Sequence, residues 1–76
     1  MDRELKIKLD NADKVKKFSN IIAKLDGDID LMRGHYTVDA RSIMGIFSLD
    51  LSKELTMVIH SGNTKKIEEA ISEFLV

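Results

Sequence analysis

Hydrophobic and polar positions alternate near the start of the chain and then recur at a helical spacing. Leu5, Ile7 and Leu9 alternate with lysines, which is the period of a half-buried β-strand. Apolar residues then recur every three or four positions, which predicts a helix over about residues 12–25 that Gly27 can end in a left-handed turn. The apolar face of this helix comprises Val15, Phe18, Ile21, Ile22 and Leu25.

The middle of the chain has the pattern of a β-hairpin, and a further strand lies beyond it. Residues 28–33 and 36–40 predict two strands, with Gly34 and His35 at the turn between them. Residues 54–60 predict a fourth strand. Its apolar face comprises Leu55, Met57 and Ile59.

Polar residues stand where three helices would begin. Asp10 or Asn11 can cap the first helix. Ser42 can cap a short helix over about residues 43–49, and Asn63 can cap a closing helix. The apolar stripe of the closing helix comprises Ile67, Ala70, Ile71, Phe74 and Leu75.

The elements therefore follow the order β-α-β-β-α-β-α. Each long helix has one apolar face and the first strand alternates cleanly, so we predict an α+β fold. In this fold one antiparallel sheet is covered by helices on a single face. A chain of 76 residues is expected to form a single domain over residues 1–76.

Composition excludes several classes of protein. The chain has no cysteine, so neither a disulfide nor a thiolate metal site is expected, which agrees with a cytoplasmic location. No apolar run has the length of a membrane span, and residues 1–24 lack the apolar block of a signal peptide. The scattered glycines form no phosphate-binding loop, and no serine has a legible base beside it. We therefore expect no membrane association, no cofactor and no enzyme activity.

A nucleic-acid partner is not expected either. The net charge is −1, so no global field favours a polyanion. A small basic face can form on the first helix, although a solvated face is the favoured interpretation. Tyr36 is the only tyrosine and tryptophan is absent, so few rings could stack on bases. The basic residues concerned are Lys14, Lys16, Lys17 and Lys24.

The segment RSIMGIFSLDL, residues 41–51, resembles the HPr family, the phosphocarriers of the bacterial sugar phosphotransferase system. The similarity rests on Ser42-Ile43-Met44-Gly45 followed by Ser48-Leu49, with support from AKLDGDIDL (23–31) and TVDARS (37–42). It implies an HPr-like open-faced β-sandwich, in which a four-stranded antiparallel sheet carries helices on one face. It also implies two phosphorylation sites.

The first implied site is a histidine at the start of the first helix, followed by Ala-Arg-Pro, which accepts a phosphoryl group from enzyme I. Counting back from Ser42 without a gap places this position at Asn11, and Asp13 stands in place of the arginine. An amide nitrogen cannot take up phosphoryl as imidazole does, and Asp13 would repel phosphate. We therefore expect Asn11 and Asp13 to be a degenerate active-site position.

The second implied site is a regulatory serine that HPr kinase phosphorylates from ATP, and the matching residue is Ser42. In HPr the apolar residues after this serine form an exposed docking patch. The corresponding residues here are Ile43, Met44 and Phe47. Ile46 and Leu49 are instead expected to face the core. The resemblance thus implies protein partners, namely an HPr kinase-like protein or a transcriptional regulator.

The sequence leaves two other functions open beside such a regulatory protein. A phosphocarrier with a different acceptor would need His35 or His60, the only histidines, close to the first helix. The default interpretation places His35 in a turn and His60 at a strand end. A purely structural interaction domain would need Ser42 only as an N-cap.

A metal site is not expected. Asp26, Asp28 and Asp30 have the spacing at the start of a calcium loop. However, Leu31 and Thr37 stand where that loop needs glycine and a bidentate glutamate. A turn followed by a polar strand face accounts for these aspartates.

Overall fold

An antiparallel sheet of four strands forms one layer of the molecule, and helices form the other. The computed structural model describes residues 2–76. The strands are β1 (Arg3–Ile7), β2 (Ile29–Arg33), β3 (Tyr36–Asp39) and β4 (Leu55–Ile59). The helices are α1 (Ala12–Ala23), α2 (Ile43–Phe47) and α3 (Thr64–Ala70), followed by a 3-10 turn at Ser72–Phe74. This architecture confirms the predicted α+β fold.

The strand order within the sheet is β1-β4-β2-β3. Ile59 of β4 pairs with Arg3 of β1 on one side and with Ile29 of β2 on the other. β2 and β3 form the predicted hairpin, in which Asp30 lies opposite Asp39. The first and last strands of the chain are therefore neighbours, and the sheet joins segments that are distant in sequence.

The hydrophobic core lies between the sheet and the helices. Leu31 of β2 and Met57 of β4 pair with each other and are fully buried, whereas Lys6 of β1 is exposed on the opposite face. Phe18 of α1 is fully buried in the same cluster. Its ring meets that of Phe74 edge to face, with 5.6 Å between ring centroids. One face of the sheet is thus covered, and the other is open.

β1 differs from its predicted extent at its C-terminal end. The strand ends at Ile7, so Leu9 is buried but lies beyond the strand. The backbone N–H of Lys8 donates to the carbonyl of Phe74 at 2.9 Å, and Leu75 forms a β-bridge with Ile7. The C-terminal segment therefore pairs with the outer edge of β1 at this point, which the alternation alone could not reveal.

α1 ends earlier than predicted, and Gly27 does not end it. Its last residue is Ala23, and Lys24 is the C-cap in a right-handed conformation. Gly27 has φ 120°, and a Cβ placed there would clash with the carbonyl oxygen of Ser61. Gly27 is needed because the loop after α1 passes directly over the loop after β4.

The closing helix is shorter than its apolar stripe predicted. α3 ends at Ala70, Ile71 leaves the helical conformation, and the 3-10 turn carries Phe74 into the core. β2, β3, α2 and β4 all lie within their predicted ranges. None of the described helices has the length and apolar character needed to span a lipid bilayer.

Candidate functional site

Ser42 lies between β3 and α2 and caps that helix, as predicted. Its backbone is extended, with φ −96° and ψ 99°, and its Oγ accepts a hydrogen bond from the backbone N–H of Gly45 at 3.1 Å. The residue is exposed. The hydroxyl is therefore accessible from solvent while its oxygen stabilises the start of the helix.

Gly45 allows α2 to begin close to β3. A Cβ at this position would lie 3.0 Å from the Oγ of Ser42 and 3.1 Å from the Cβ of Val38. Contacts this short would force the capping serine or the strand to shift. Gly45 thus weakens the helix interior but keeps Ser42 in its capping position.

The exposed face of α2 is apolar. Ile43, Met44 and Phe47 are 40%, 83% and 46% exposed, whereas Ile46 is fully buried and Leu49 nearly so. The prediction that Ile46 and Leu49 face the core is therefore confirmed. We call Ile43, Met44 and Phe47 the α2 patch. These three side chains follow Ser42 closely in the chain. Part of their apolar surface stays exposed to water instead of being buried in the core.

Asn11 caps α1 in the same way that Ser42 caps α2. Its Oδ1 accepts a hydrogen bond from the backbone N–H of Lys14 at 2.8 Å. Asp13 is exposed in the first turn of the helix. Asp10 forms an ion pair with Lys14 at 2.9 Å, and the hydrogen bond to Lys14 lowers the pKa of Asp10. The start of α1 is thus well capped and rich in carboxylates.

Two lysines near this helix start are paired with acidic side chains. Lys14 is bound to Asp10, and the Nζ of Lys17 lies 3.0 Å from the Oε2 of Glu73. These charges are already compensated, and Asp13 adds a further negative charge nearby. Carboxylates therefore lie beside both lysines at this end of α1.

Comparison with known proteins finds solved structures that share this fold. No protein-family model and no curated protein matches the chain. The phosphocarrier protein HPr from Bacillus anthracis superposes with a TM-score of 0.79 at 23% identity, covering 100% of this chain and 96% of that one. HPr-C-His from Thermoanaerobacter tengcongensis gives 0.76 at 23% identity, covering 93% and 88%. The chain has the HPr fold.

Within this HPr fold, Arg41 holds the turn that leads into Ser42. Its guanidinium donates to the carbonyl of Gly27 at 2.7 Å and to the carbonyl of Leu25. Its own backbone N–H donates to the Oδ1 of Asp39 at 2.8 Å. Arg41 therefore joins the end of β3 to the loop after α1. The sequence contains no local signal for this role, because the accepting groups are backbone carbonyls distant in the chain.

His60 occupies the open face of the sheet, away from the helices of this HPr fold. Its Nδ1 lies 3.0 Å from the Oδ2 of Asp2, and its Nε2 lies 2.9 Å from the Oδ2 of Asp30. The hydrogen bond to Asp30, assisted by Asp2, raises the pKa of His60 above its ordinary value. The sequence placed His60 at a strand end but did not reveal either carboxylate partner.

The structure does not bring the predicted and the unpredicted residues together into one site. Ser42, the α2 patch and Asn11 belong to the helical layer, whereas His60 belongs to the open face of the sheet. His35 lies in the exposed turn between β2 and β3. Among residues 2–76, no group of three His, Asp or Glu side chains is arranged to hold a metal ion.

Proposed function

We propose that this protein is an HPr-like regulatory or interaction protein of the bacterial sugar phosphotransferase system. In this role it works in the cytoplasm without enzyme activity of its own and does not carry phosphohistidine. Ser42 is its regulatory phosphorylation site, and the α2 patch binds a protein partner such as an HPr kinase or a transcriptional regulator. The observation that carries the proposal is the exposed apolar face of α2 directly beside an accessible serine.

The start of α1 supports the loss of phosphoryl transfer. Asn11 occupies the position that the HPr resemblance assigns to histidine, and its oxygen is engaged as a helix cap. An amide has no nucleophilic nitrogen lone pair comparable with that of imidazole. The carboxylates of Asp10 and Asp13 would also repel an incoming phosphoryl donor.

Ser42 supports the regulatory part of the proposal. Phosphorylation would add about −1.5 to −2 charges beside the α2 patch. Such a group changes the charge that a partner meets without requiring the core to rearrange, because Ser42 is exposed. Phosphorylation would therefore act mainly on partner affinity and choice.

The two histidines offer little support for a phosphocarrier with a different acceptor. Both ring nitrogens of His60 face carboxylates, which occupy the nucleophilic positions and repel phosphate. His35 lies in the hairpin turn rather than at the start of α1. Neither imidazole lies at the N-terminus of a helix, which the resemblance implies for the acceptor.

One observation favours a purely structural domain as the second candidate. The hydrogen bond from the Gly45 N–H to the Oγ of Ser42 would be required even if no kinase ever met the protein. The two candidates differ in what Ser42 does chemically, since only the first requires its hydroxyl to be phosphorylated.

Intact-mass analysis after incubation with HPr kinase and ATP tests the proposal. We expect one added phosphate on the natural protein and none on Ser42→Ala. Ser48→Ala is the matched control, because Ser48 is the exposed serine at the opposite, C-terminal end of α2, where its Oγ donates to the carbonyl of Gly45 at 2.6 Å. This control should still gain one phosphate.

A parallel incubation with phosphorylated enzyme I tests the loss of the carrier reaction. We expect no acid-labile phosphate on the protein. No mass gain in the kinase reaction would favour the structural domain, and transfer from enzyme I would restore the phosphocarrier interpretation.

A further inference from the structure

His60 joins three strands at one end of the open face of the sheet. It directly follows β4, the strand between β1 and β2. Asp2 directly precedes β1, and Asp30 lies in β2. Because Arg3 and Ile29 both pair with Ile59, the side chain of His60 reaches Asp2 just before β1 and Asp30 within β2.

The two distances define which protonation state fits this arrangement. A neutral imidazole has one N–H donor and one nitrogen with a lone pair, whereas an imidazolium has two donors. An ionised carboxylate can only accept hydrogen bonds. With oxygens of Asp2 and Asp30 at 3.0 and 2.9 Å from the two nitrogens, both contacts are attractive only when His60 is positively charged.

The groups around His60 favour the same state. Glu4 of β1 lies opposite Val58, the residue two positions before His60, on the open face. Asp39 of β3 lies opposite Asp30. The nearest lysine along β1 is Lys6, whose Nζ donates to the Oγ1 of Thr56 at 2.6 Å, and Arg3 is paired with Glu68. The charges on β1, β2 and β3 that face His60 are therefore mainly negative.

The backbone of His60 is tied to the same region. Its N–H donates to the carbonyl of Asp28 at 2.8 Å, and the next residue, Ser61, accepts from the Asp28 N–H at 3.0 Å. These bonds do not depend on the charge of the imidazole. The backbone of His60 is therefore held at every pH, and the contacts of its two ring nitrogens are the ones that change with protonation.

We propose that His60 is a pH-dependent link in the sheet. While its imidazole is doubly protonated, its two hydrogen bonds hold the start of β1 and the middle of the sheet to the end of β4. Loss of the proton leaves one nitrogen lone pair facing a carboxylate oxygen, which repels it. The contact to Asp2 breaks more easily, since Asp2 lies outside the strand and is more exposed than Asp30. Deprotonation therefore loosens the start of β1.

The direction of the change follows from the carboxylate partners. Hydrogen bonds to Asp30 and Asp2 raise the pKa of His60 from its ordinary value of 6.5. Both hydrogen bonds are present at acidic pH, and the link is lost as the pH rises through this elevated pKa. The transition consequently lies at a higher pH than that of an unperturbed histidine.

A titration of the imidazole signals by NMR tests the proposal. We expect the midpoint of His60 to lie above 6.5 in the natural protein, and to fall in Asp30→Asn and in Asp2→Asn. Asp13→Asn removes the same charge from the helical layer and serves as the matched control, which should leave the His60 midpoint unchanged. The His35 signal gives an internal reference in every sample.

Hydrogen exchange tests the mechanical part of the proposal. After correction for intrinsic pH dependence, protection of the paired residues Arg3 and Ile59 should fall across the His60 titration, whereas that of Ile7 and Leu55 at the other end should not. A His60 titration midpoint that is unchanged in both Asp30→Asn and Asp2→Asn would overturn the proposal. Uniform protection of Arg3 on both sides of the midpoint would also overturn it.

Discussion

The surface of α2 and the open face of the sheet are organised in opposite ways. On α2, large apolar side chains are exposed beside a serine whose contacts are local, since its Oγ binds the N–H three residues ahead. On the sheet, polar side chains dominate, and His60 contacts carboxylates 58 and 30 positions away in the chain. The first surface has apolar groups without a partner, and the second has charged groups that satisfy one another. Under the proposed function, the apolar surface of α2 is the one that binds a partner.

The largest expected effect is a difference in stability between substitutions on the buried face and on the exposed face of α2. Ile46→Ala should lower the free energy of unfolding by about 2–5 kcal/mol, because it opens a cavity at a fully buried position. Met44→Ala, at a position 83% exposed, should change it by no more than about 0.5 kcal/mol. Urea unfolding of both variants measures the difference. Equal losses would mean that the α2 patch is part of the core.

The second effect concerns binding rather than stability. Phe47→Ala should raise the KM for phosphorylation of Ser42 by HPr kinase at least about five-fold, as expected for an apolar anchor worth more than about 1 kcal/mol. Tyr36→Ala is the matched control, since Tyr36 is an aromatic residue 71% exposed on β3. Steady-state kinetics of phosphate incorporation give both values. If Tyr36→Ala raised KM equally, the α2 patch would not define the docking surface.

The sequence predicted these local features of the helical layer well. Helix caps depend on a side chain and a backbone N–H three residues apart, so Ser42 and Asn63 were found from spacing alone, and Asn11 was one of two alternatives beside Asp10. The burial of Ile46 likewise follows from helical periodicity, whereas the exposure of Met44 was expected from the HPr resemblance. Where a contact joins residues within one helical turn, the residue types and their spacing are enough to predict it.

The open face was not predictable in the same way. Pairing of His60 with Asp2 requires knowing that the first and last strands are neighbours, and the alternation of each strand contains no such information. The same limit applies to Arg41, whose acceptors are the carbonyls of Leu25 and Gly27. It also applies to the end of β1, where the C-terminal segment takes over the pairing.

A smaller effect tests whether the cap of α2 is only structural. Ser42→Ala should cost about 1 kcal/mol of unfolding free energy, since the N–H of Gly45 loses its acceptor. Ser42→Asp should retain most of the stability because its carboxylate can accept the same hydrogen bond. Thermal and urea unfolding compare the three proteins. A much larger loss in Ser42→Asp would show that this position tolerates no added negative charge.

The same pair of variants then distinguishes the two candidate functions. If Ser42 is a regulatory site, Ser42→Asp should change affinity for a transcriptional partner while preserving the fold. If Ser42 is only a cap, both variants should bind any partner as the natural protein does. Titration calorimetry with the partner captured by the natural protein provides the readout, and circular dichroism confirms that α2 remains intact.

The smallest effect is a dependence of stability on pH that originates on the open face. The raised pKa of His60 means that its contribution is fully present below about 6.5, the ordinary value in the unfolded chain, and is lost as the pH rises through the folded value. His60 is partly exposed, so the change should be modest. Urea unfolding on both sides of this interval should show the natural protein losing stability as the pH rises.

Substitutions on the open face should remove this dependence without touching α2. His60→Gln should flatten the pH profile of stability, while His35→Gln, in the exposed hairpin turn, should preserve it. Neither variant should alter the KM for phosphorylation of Ser42, because the two surfaces belong to different layers of the fold. A changed KM in His60→Gln would show that the open face and α2 are energetically coupled. The distinction between a sheet surface whose charges pair with one another and an α2 surface that binds a partner would then be wrong.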